Sequence, residues 1–260
     1  MTFSFNKYQG TGNDFIIIDN RDMKFNRNNN ALVAKLCDRR FGIGADGLML
    51  LQSKIGYDFE MVYYNSDGNE SSMCGNGGRC IIEYVRTLGL VKDKANFLAS
   101  DGEHEAKVNP GFISLKMNNV STVEVSGEFC YLNTGSPHYV SFVNNVRNYK
   151  VVEEGKKIRN NERFKEKGTN VNFVEKELNE LFVRTYERGV EDETYSCGTG
   201  VTAAALVASL KNVSTGLDYC DVKTLGGNLK VKFNKHEDNS FTDIWLEGPA
   251  TFVFKGEITV

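Results

Sequence analysis

The sequence predicts an α+β protein of two homologous lobes, each a mostly antiparallel sheet wrapped around a central helix. Three observations predict it. Strand-like segments greatly outnumber helical ones. One helical segment, Thr199–Lys211, is Ala-rich and apolar on nearly every side, as a helix buried in the middle of other structure must be. The chain also repeats itself at a nearly constant offset of 123 residues, which lays Glu70-Ser71-Ser72-Met73-Cys74-Gly75-Asn76-Gly77 over Glu193-Thr194-Tyr195-Ser196-Cys197-Gly198-Thr199-Gly200. The same shift places Gly12 on Gly135, Arg40-Phe41 on Arg163-Phe164, and Phe59–Tyr64 on Leu181–Tyr186 to within a residue. The repeat divides the chain into residues 1–120, carrying Cys74, and 121–260, carrying Cys197. Equivalent loops of two such lobes are expected to meet at one cleft, where ligands commonly sit.

The strands are read from alternating or continuous apolar runs bounded by Asn, Gly, Ser and Asp. They are Phe15–Asp19, Leu48–Gln52, Phe59–Tyr64, Glu103–Val108, Phe112–Met117, Leu181–Tyr186, Leu229–Phe233 and Asp243–Glu247. The first helix, Ala31–Arg40, follows an Asn run that offers a cap. The second opens at Cys74-Gly75 and stops by Leu88-Gly89, and the third is the apolar segment above. The charged stretch Glu153–Lys167 reads as a solvated face.

Composition excludes several functions. With 260 residues and 40% of them hydrophobic, the chain can bury a sizeable core. Lys and Arg number 31 against 34 for Asp and Glu, which gives no electrostatic case for a nucleic-acid partner. No apolar run is long enough to span a membrane. The opening residues lack the basic-then-apolar pattern of a secretory signal, so a cytoplasmic enzyme acting on a small molecule is expected. The six cysteines are then expected to be reduced. No metal site is expected either, since no CxxC occurs and the three histidines are scattered. Gly42-x-Gly44-x-x-Gly47 fits a dinucleotide fingerprint but has a helix before it and a strand after, the reverse of the required context.

Chemistry concentrates where each half places a Cys immediately before a Gly-x-Gly that opens a helix. The first helical N–H groups lack internal partners and lie at the positive end of the macrodipole. A thiol there has its thiolate stabilised, and the same amides suit a carboxylate. A lone Cys in this position is as often a buried small hydrophobe; two related by a repeat point to function. If a substrate carbon lies between two such thiols, one can remove a proton from one face and the other can deliver a proton to the opposite face. Helix-end amides would stabilise the enolate-like charge that develops. This is the design of a racemase or epimerase without a cofactor.

The residues then resemble a known family, the diaminopimelate epimerases of the pyridoxal-phosphate-independent amino-acid racemase group. The resemblance covers essentially the whole chain. It is carried by Gly12-Asn13-Asp14-Phe15, Gly42-Ile43-Gly44-Ala45-Asp46-Gly47, Asn65-Ser66-Asp67-Gly68, Cys74-Gly75-Asn76-Gly77-Gly78-Arg79, Gly135-Ser136-Pro137-His138, Gly168-Thr169-Asn170-Val171-Asn172-Phe173, Glu187-Arg188-Gly189 and Cys197-Gly198-Thr199-Gly200. Each is weak alone, and all eight in order are highly specific.

The resemblance implies the diaminopimelate-epimerase fold, with the final strand, Thr251–Thr259, packed back on the first lobe. It implies interconversion of LL- and meso-2,6-diaminopimelate, a step in the supply of lysine and peptidoglycan precursors, with no cofactor and as a homodimer. Cys74 and Cys197 would be the acid/base pair. Gly75, Asn76, Gly198 and Thr199 would hold the carboxylate at the reacting carbon. Asn13, Asn65, Asn170, Glu187 and Arg188 would contact substrate, and His138 and Glu187 would tune the thiols. Gly47 and Ser136 depart from the family's usual Gln and Asn, so a related racemase or epimerase with another substrate is the alternative. A cysteine hydrolase or a non-catalytic amino-acid-binding protein is the rival from another class, and a hydrolase would leave one of the two cysteines unexplained.

Overall fold

The computed structural model describes residues 1–260. It is an α+β protein of two compact units, residues 1–115 with 248–260, and residues 116–247. Its helices are α1 (Asn30–Cys37), α2 (Gly75–Thr87), α3 (Val151–Arg159) and α4 (Gly198–Leu210).

In the first unit, the strand Thr2–Gly10 turns tightly into Asn13–Asp19 through Thr11 and Gly12, both at positive φ. That turn type matches the twist of the paired strands, and here it sets Asn13 at the strand start. The other edge of Thr2–Gly10 pairs antiparallel with Thr251–Thr259. Asn13–Asp19 pairs parallel with Gly47–Gln52 across the crossover that contains α1. Gly47–Gln52 continues antiparallel to Phe59–Asn65, which pairs antiparallel with Glu70–Ser71 and parallel with Lys94–Ala99. Asn13–Asp19, Gly47–Gln52 and Phe59–Asn65 bury both faces over most of their length, so they read as nearly continuous apolar runs. Ile16, Ile18, Leu48 and Leu50 pack with Val33, Leu36 and Cys37 of α1. On the α2 side, a Cβ added at Gly77 would lie 3.2 Å from Met49 Sδ and 3.4 Å from Phe15 Cε1, so glycine there lets the helix sit close to the sheet.

The second unit repeats this order. Pro137–Phe142 pairs parallel with Asn170–Lys176 across the crossover that contains α3. Asn170–Lys176 runs antiparallel to Leu181–Glu187, which pairs antiparallel with Asp192–Thr194 and parallel with Tyr219–Thr224. The helix α4 lies against these strands, with Gly198 and every residue from Gly200 to Ser209 buried. The parallel pairs make the sheets more mixed than the mostly antiparallel reading, because each helical crossover returns the chain in the same direction.

The first half of the segment read as a solvated face belongs to α3 and, apart from Gly155, is exposed or partly exposed. Its buried stripe is only Val151 and Gly155, while Lys157 pairs outward with Glu153 and Glu154. A stripe that narrow leaves almost no apolar periodicity to read. The first helix ends at Cys37, short of Arg40, because Asp38 turns extended and its carboxylate accepts from the Arg40 and Phe41 amides. No helix is long and apolar enough to cross a membrane.

The turn after Phe59–Asn65 positions Asn65. Gly68 closes it by donating to the Asn65 carbonyl at 2.9 Å, with φ +88° and an ideal Cβ 2.1 Å from the Asn30 carbonyl oxygen. Gly68→Ala therefore combines left-handed strain with a backbone clash, and it is expected to cost about 1–3 kcal/mol. A urea midpoint close to that of the parent would show that the turn relaxes without cost.

Candidate active site

In the first unit, the strand–turn–helix path ends at Cys74, which caps α2 with extended backbone while its sulfur makes no cap bond to its own helix. The half-buried thiol donates to Asn13 Oδ1 at 3.6 Å, and Asn76 Nδ2 donates to the same oxygen at 3.3 Å. Asn13 is oriented from behind, since its Nδ2 donates to Asp46 Oδ2 at 2.6 Å. Asp46 in turn pairs with Arg39, which also holds Asp14. Asp14 takes a second cation, Lys7, at 2.6 Å, and Lys7 also donates to the Gly44 carbonyl. Burial alone would raise the Asp14 carboxyl, but the hydrogen bonds and charges of Arg39 and Lys7 outweigh it and hold it well below the usual range.

Arg79, one turn into α2, is fully buried. Its guanidinium donates to the carbonyls of Gly75 and Pro249 at 3.3 Å each, to Thr11 Oγ1 at 3.2 Å and to Asn76 Oδ1 at 3.0 Å. It therefore fixes the Asn76 amide and ties residue 249 to the helix start. Asn65 lies directly across from Gly47 in the strand pairing. Position 47 has no room for a side chain, because a Cβ there would meet the Tyr64 carbonyl at 2.5 Å and the Tyr63 ring at 2.6 Å.

In the second unit, Cys197 caps α4 in the same way, 7% exposed. Its sulfur lies 3.5 Å from Thr199 Oγ1, and Thr199 lies 3.2 Å from Ser136 Oγ. Ser136 also contacts His138 Nε2 and Asn170 Nδ2, each at 3.0 Å. Asn170 accepts the backbone N–H of Arg188 at 2.8 Å, and the exposed Arg188 side chain donates to the Lys167 carbonyl. Glu187 accepts from Thr194 Oγ1 at 2.9 Å. The sequence-derived residues thus gather in two groups. Asn13, Gly75 and Asn76 lie about Cys74, and Asn65 ends the strand Phe59–Asn65 opposite Gly47. Thr199 contacts Cys197, His138 and Asn170 join it through Ser136, and Glu187 and Arg188 follow at the end of Leu181–Glu187.

Several residues of these groups carried too little signal to be assigned from sequence. Arg79, Thr11 and Lys7 in the first unit, and Asn172 and Thr185 in the second, are polar or charged yet buried, and Asp46 is partly exposed. Asn170 and Asn172, two apart on one strand, share a face, and that spacing was the available clue.

His138 is fully buried, and burial with the nearby charge of Arg188 lowers its pKa to about 3. The ring is therefore neutral throughout the physiological range. The unfolded imidazole protonates near its ordinary 6.5, so between there and about 3 the unfolded chain binds a proton that the folded chain refuses. Stability contributed by this group is intact above about pH 6.5 and is lost as pH falls, at about 1.4 kcal/mol per unit once the unfolded imidazole is charged. His138→Gln should flatten that slope between pH 7 and 5, and equal slopes in urea titrations of the two proteins would refute it.

The chain matches the family model described as diaminopimelate epimerase over residues 5–123 and 130–253. It is 52% identical over 254 residues to a protein named diaminopimelate epimerase from Flavobacterium psychrophilum, spanning 97% of this chain and 98% of that one. It is 42% identical over 262 residues to one of the same name from Chlorobaculum tepidum, spanning 96% and 99%. Among solved structures, a PhzF-family phenazine biosynthesis protein from Bacillus anthracis superimposes with a TM-score of 0.77 at 16% identity, covering all of both chains. A hydroxyproline epimerase from Agrobacterium vitis, solved with trans-4-hydroxy-L-proline bound, gives 0.69 at 12%, covering 99% of this chain and 92% of that one. At such identities the two structures share the fold.

Proposed function

The chain belongs to the diaminopimelate epimerase family, and on that premise we propose that it interconverts LL- and meso-2,6-diaminopimelate by a two-base mechanism. The observation that carries this reading is the duplicated helix start, with Cys74 before Gly75-Asn76-Gly77 and Cys197 before Gly198-Thr199-Gly200. One thiolate takes the α-proton as the electron pair moves into the adjacent carboxylate, and the other thiol protonates the opposite face. The amides of Gly75, Asn76, Gly198 and Thr199 hold that carboxylate and the charge that develops on it. No redox change occurs and no cofactor or metal takes part. Asn13, Asn65, Asn170, Glu187 and Arg188 contact the remainder of the substrate, and the enzyme acts in the cytoplasm as a homodimer.

The test is direct. LL-diaminopimelate incubated with the purified, reduced protein and no additive should yield the meso form on chiral chromatography, and its failure to appear would overturn the reading. Gly47 and Ser136 favour one second reading, an epimerase of a related amino acid, which would show as faster turnover of another member of an amino-acid panel.

Arg188 is assigned to binding. Its fork suits bidentate capture of a carboxylate, which a lysine ammonium cannot reproduce. Arg188→Lys should lower kcat/KM about tenfold or more with the larger share in KM; unchanged kinetics would remove Arg188 from the site.

A further inference from the structure

Between His138 and Thr199 the hydrogen-bond geometry permits one arrangement of protons. Asn172 Oδ1 accepts from Thr185 Oγ1 at 3.0 Å, and Asn172 Nδ2 donates to the Tyr139 carbonyl at 2.9 Å. Flipping that amide would set its oxygen against the carbonyl, so the orientation is pinned. The same Nδ2 lies 3.1 Å from His138 Nδ1, which therefore accepts. A neutral ring that accepts at Nδ1 carries its proton on Nε2 and donates it to Ser136 Oγ. Ser136 receives a second bond from Asn170 Nδ2, whose orientation is pinned in turn by the Arg188 N–H on Oδ1. With two donors on its oxygen, Ser136 gives its own proton to Thr199 Oγ1. Thr199, with Ser136 donating to its oxygen, has its own proton to direct at Cys197 Sγ, 3.5 Å away.

We propose that this one-way chain, Asn172 to His138 to Ser136 to Thr199, holds Cys197 as a thiolate in the resting protein, with Ser136 the positioning residue that carries the direction across. A hydroxyl donating to sulfur favours the ionised form, and the N-terminus of α4 adds to it. Arg188 lies near His138, Glu187 is held by Thr194, and the first turn of α4 carries no acidic residue. Ser136 is thereby a link to the thiol, and its departure from the family's Asn preserves a group that can both accept and donate. That this thiolate is the base that begins a turnover rests on the epimerase reading; its presence does not.

The experiment follows the ultraviolet absorbance of thiolate in the full-length protein from about pH 4 to about pH 10. Subtracting a Cys197→Ser partner in each background isolates Cys197. The signal is clean because burial raises the thiols of Cys37, Cys80, Cys130 and Cys220. The parent should show a Cys197 midpoint below about 7. Ser136→Ala and the isosteric Thr199→Val should each raise it by about one unit, a tenfold lower thiolate-to-thiol ratio at a given pH, and Thr199→Ser should restore it. A parent midpoint at or above the ordinary thiol value of about 8.5, or midpoints unmoved by both Ser136→Ala and Thr199→Val, overturns the proposal. No substrate enters this readout. A protein that makes no meso product while its Cys197 midpoint behaves as stated would fail the epimerase reading and uphold the chain.

Discussion

Cys74→Ser and Cys197→Ser are each expected to lower epimerisation by about 10²–10⁴-fold or more, the range in which a positioned acid or base acts. Serine keeps the size and the hydrogen-bonding reach of the thiol, but its hydroxyl is far harder to ionise. Neither fold nor substrate binding should suffer much, since both residues sit at helix starts whose cap geometry is set by the backbone. Losing either one alone should abolish turnover in both directions, because the proposed mechanism gives each face of the substrate only one partner. The four other cysteines supply the control. Cys37, Cys80, Cys130 and Cys220 are buried, and burial pushes the Cys37 thiol up to about 12. Serine at those positions should cost stability by placing a hydroxyl in apolar surroundings, and should leave the chemistry intact. A Cys74 or Cys197 variant that turns over near the parent rate would end the two-thiol assignment.

The second large effect is expected at Arg79. Its guanidinium is fully buried, and all four of its partners are neutral acceptors. Arg79→Ala leaves those acceptors without their donor and opens a cavity behind α2, a combination expected to cost about 3–5 kcal/mol. Arg79→Met fills most of the volume and should recover part of that loss, separating packing from hydrogen bonding. Because Arg79 also fixes the Asn76 amide, which bonds Asn13 beside Cys74, Arg79→Met should lower kcat even where the protein is folded. Unfolding free energies within about 1 kcal/mol of the parent for both variants would mean that the buried cation is easily replaced.

Legibility in the sequence followed physical signal. Cys74 and Cys197 stood out because the duplication presents the same residues twice, so each motif corroborates the other. The strand Phe15–Asp19 was plain because burial on both faces makes a continuous apolar run. Thr2–Gly10 was not, since Lys7 and Gln9 interrupt its alternation. Lys7 is nevertheless buried, paired with Asp14 across the hairpin, and no local pattern announces a charge whose partner arrives from the next strand. Asn172 and Thr185 were hidden for the same reason. They look like ordinary strand polar residues until the pairing Asn172↔Thr185 sets them side by side beneath His138. Gly47 looked like a missing contact. The structure shows instead that the Tyr63 ring and the Tyr64 carbonyl occupy the space a side chain there would need.

The division of labour between Cys74 and Cys197 is tested most directly by running the reaction of LL-diaminopimelate in D₂O and following both isomers by mass spectrometry and proton NMR. Two bases on opposite faces predict meso product with one deuterium at the inverted carbon, while the remaining LL substrate stays unlabelled early in the reaction. The abstracted proton then sits on a thiol facing the wrong side to be exchanged and returned as LL. Meso product that retains the original hydrogen, or LL substrate that gains deuterium ahead of meso formation, would contradict the two-thiol account.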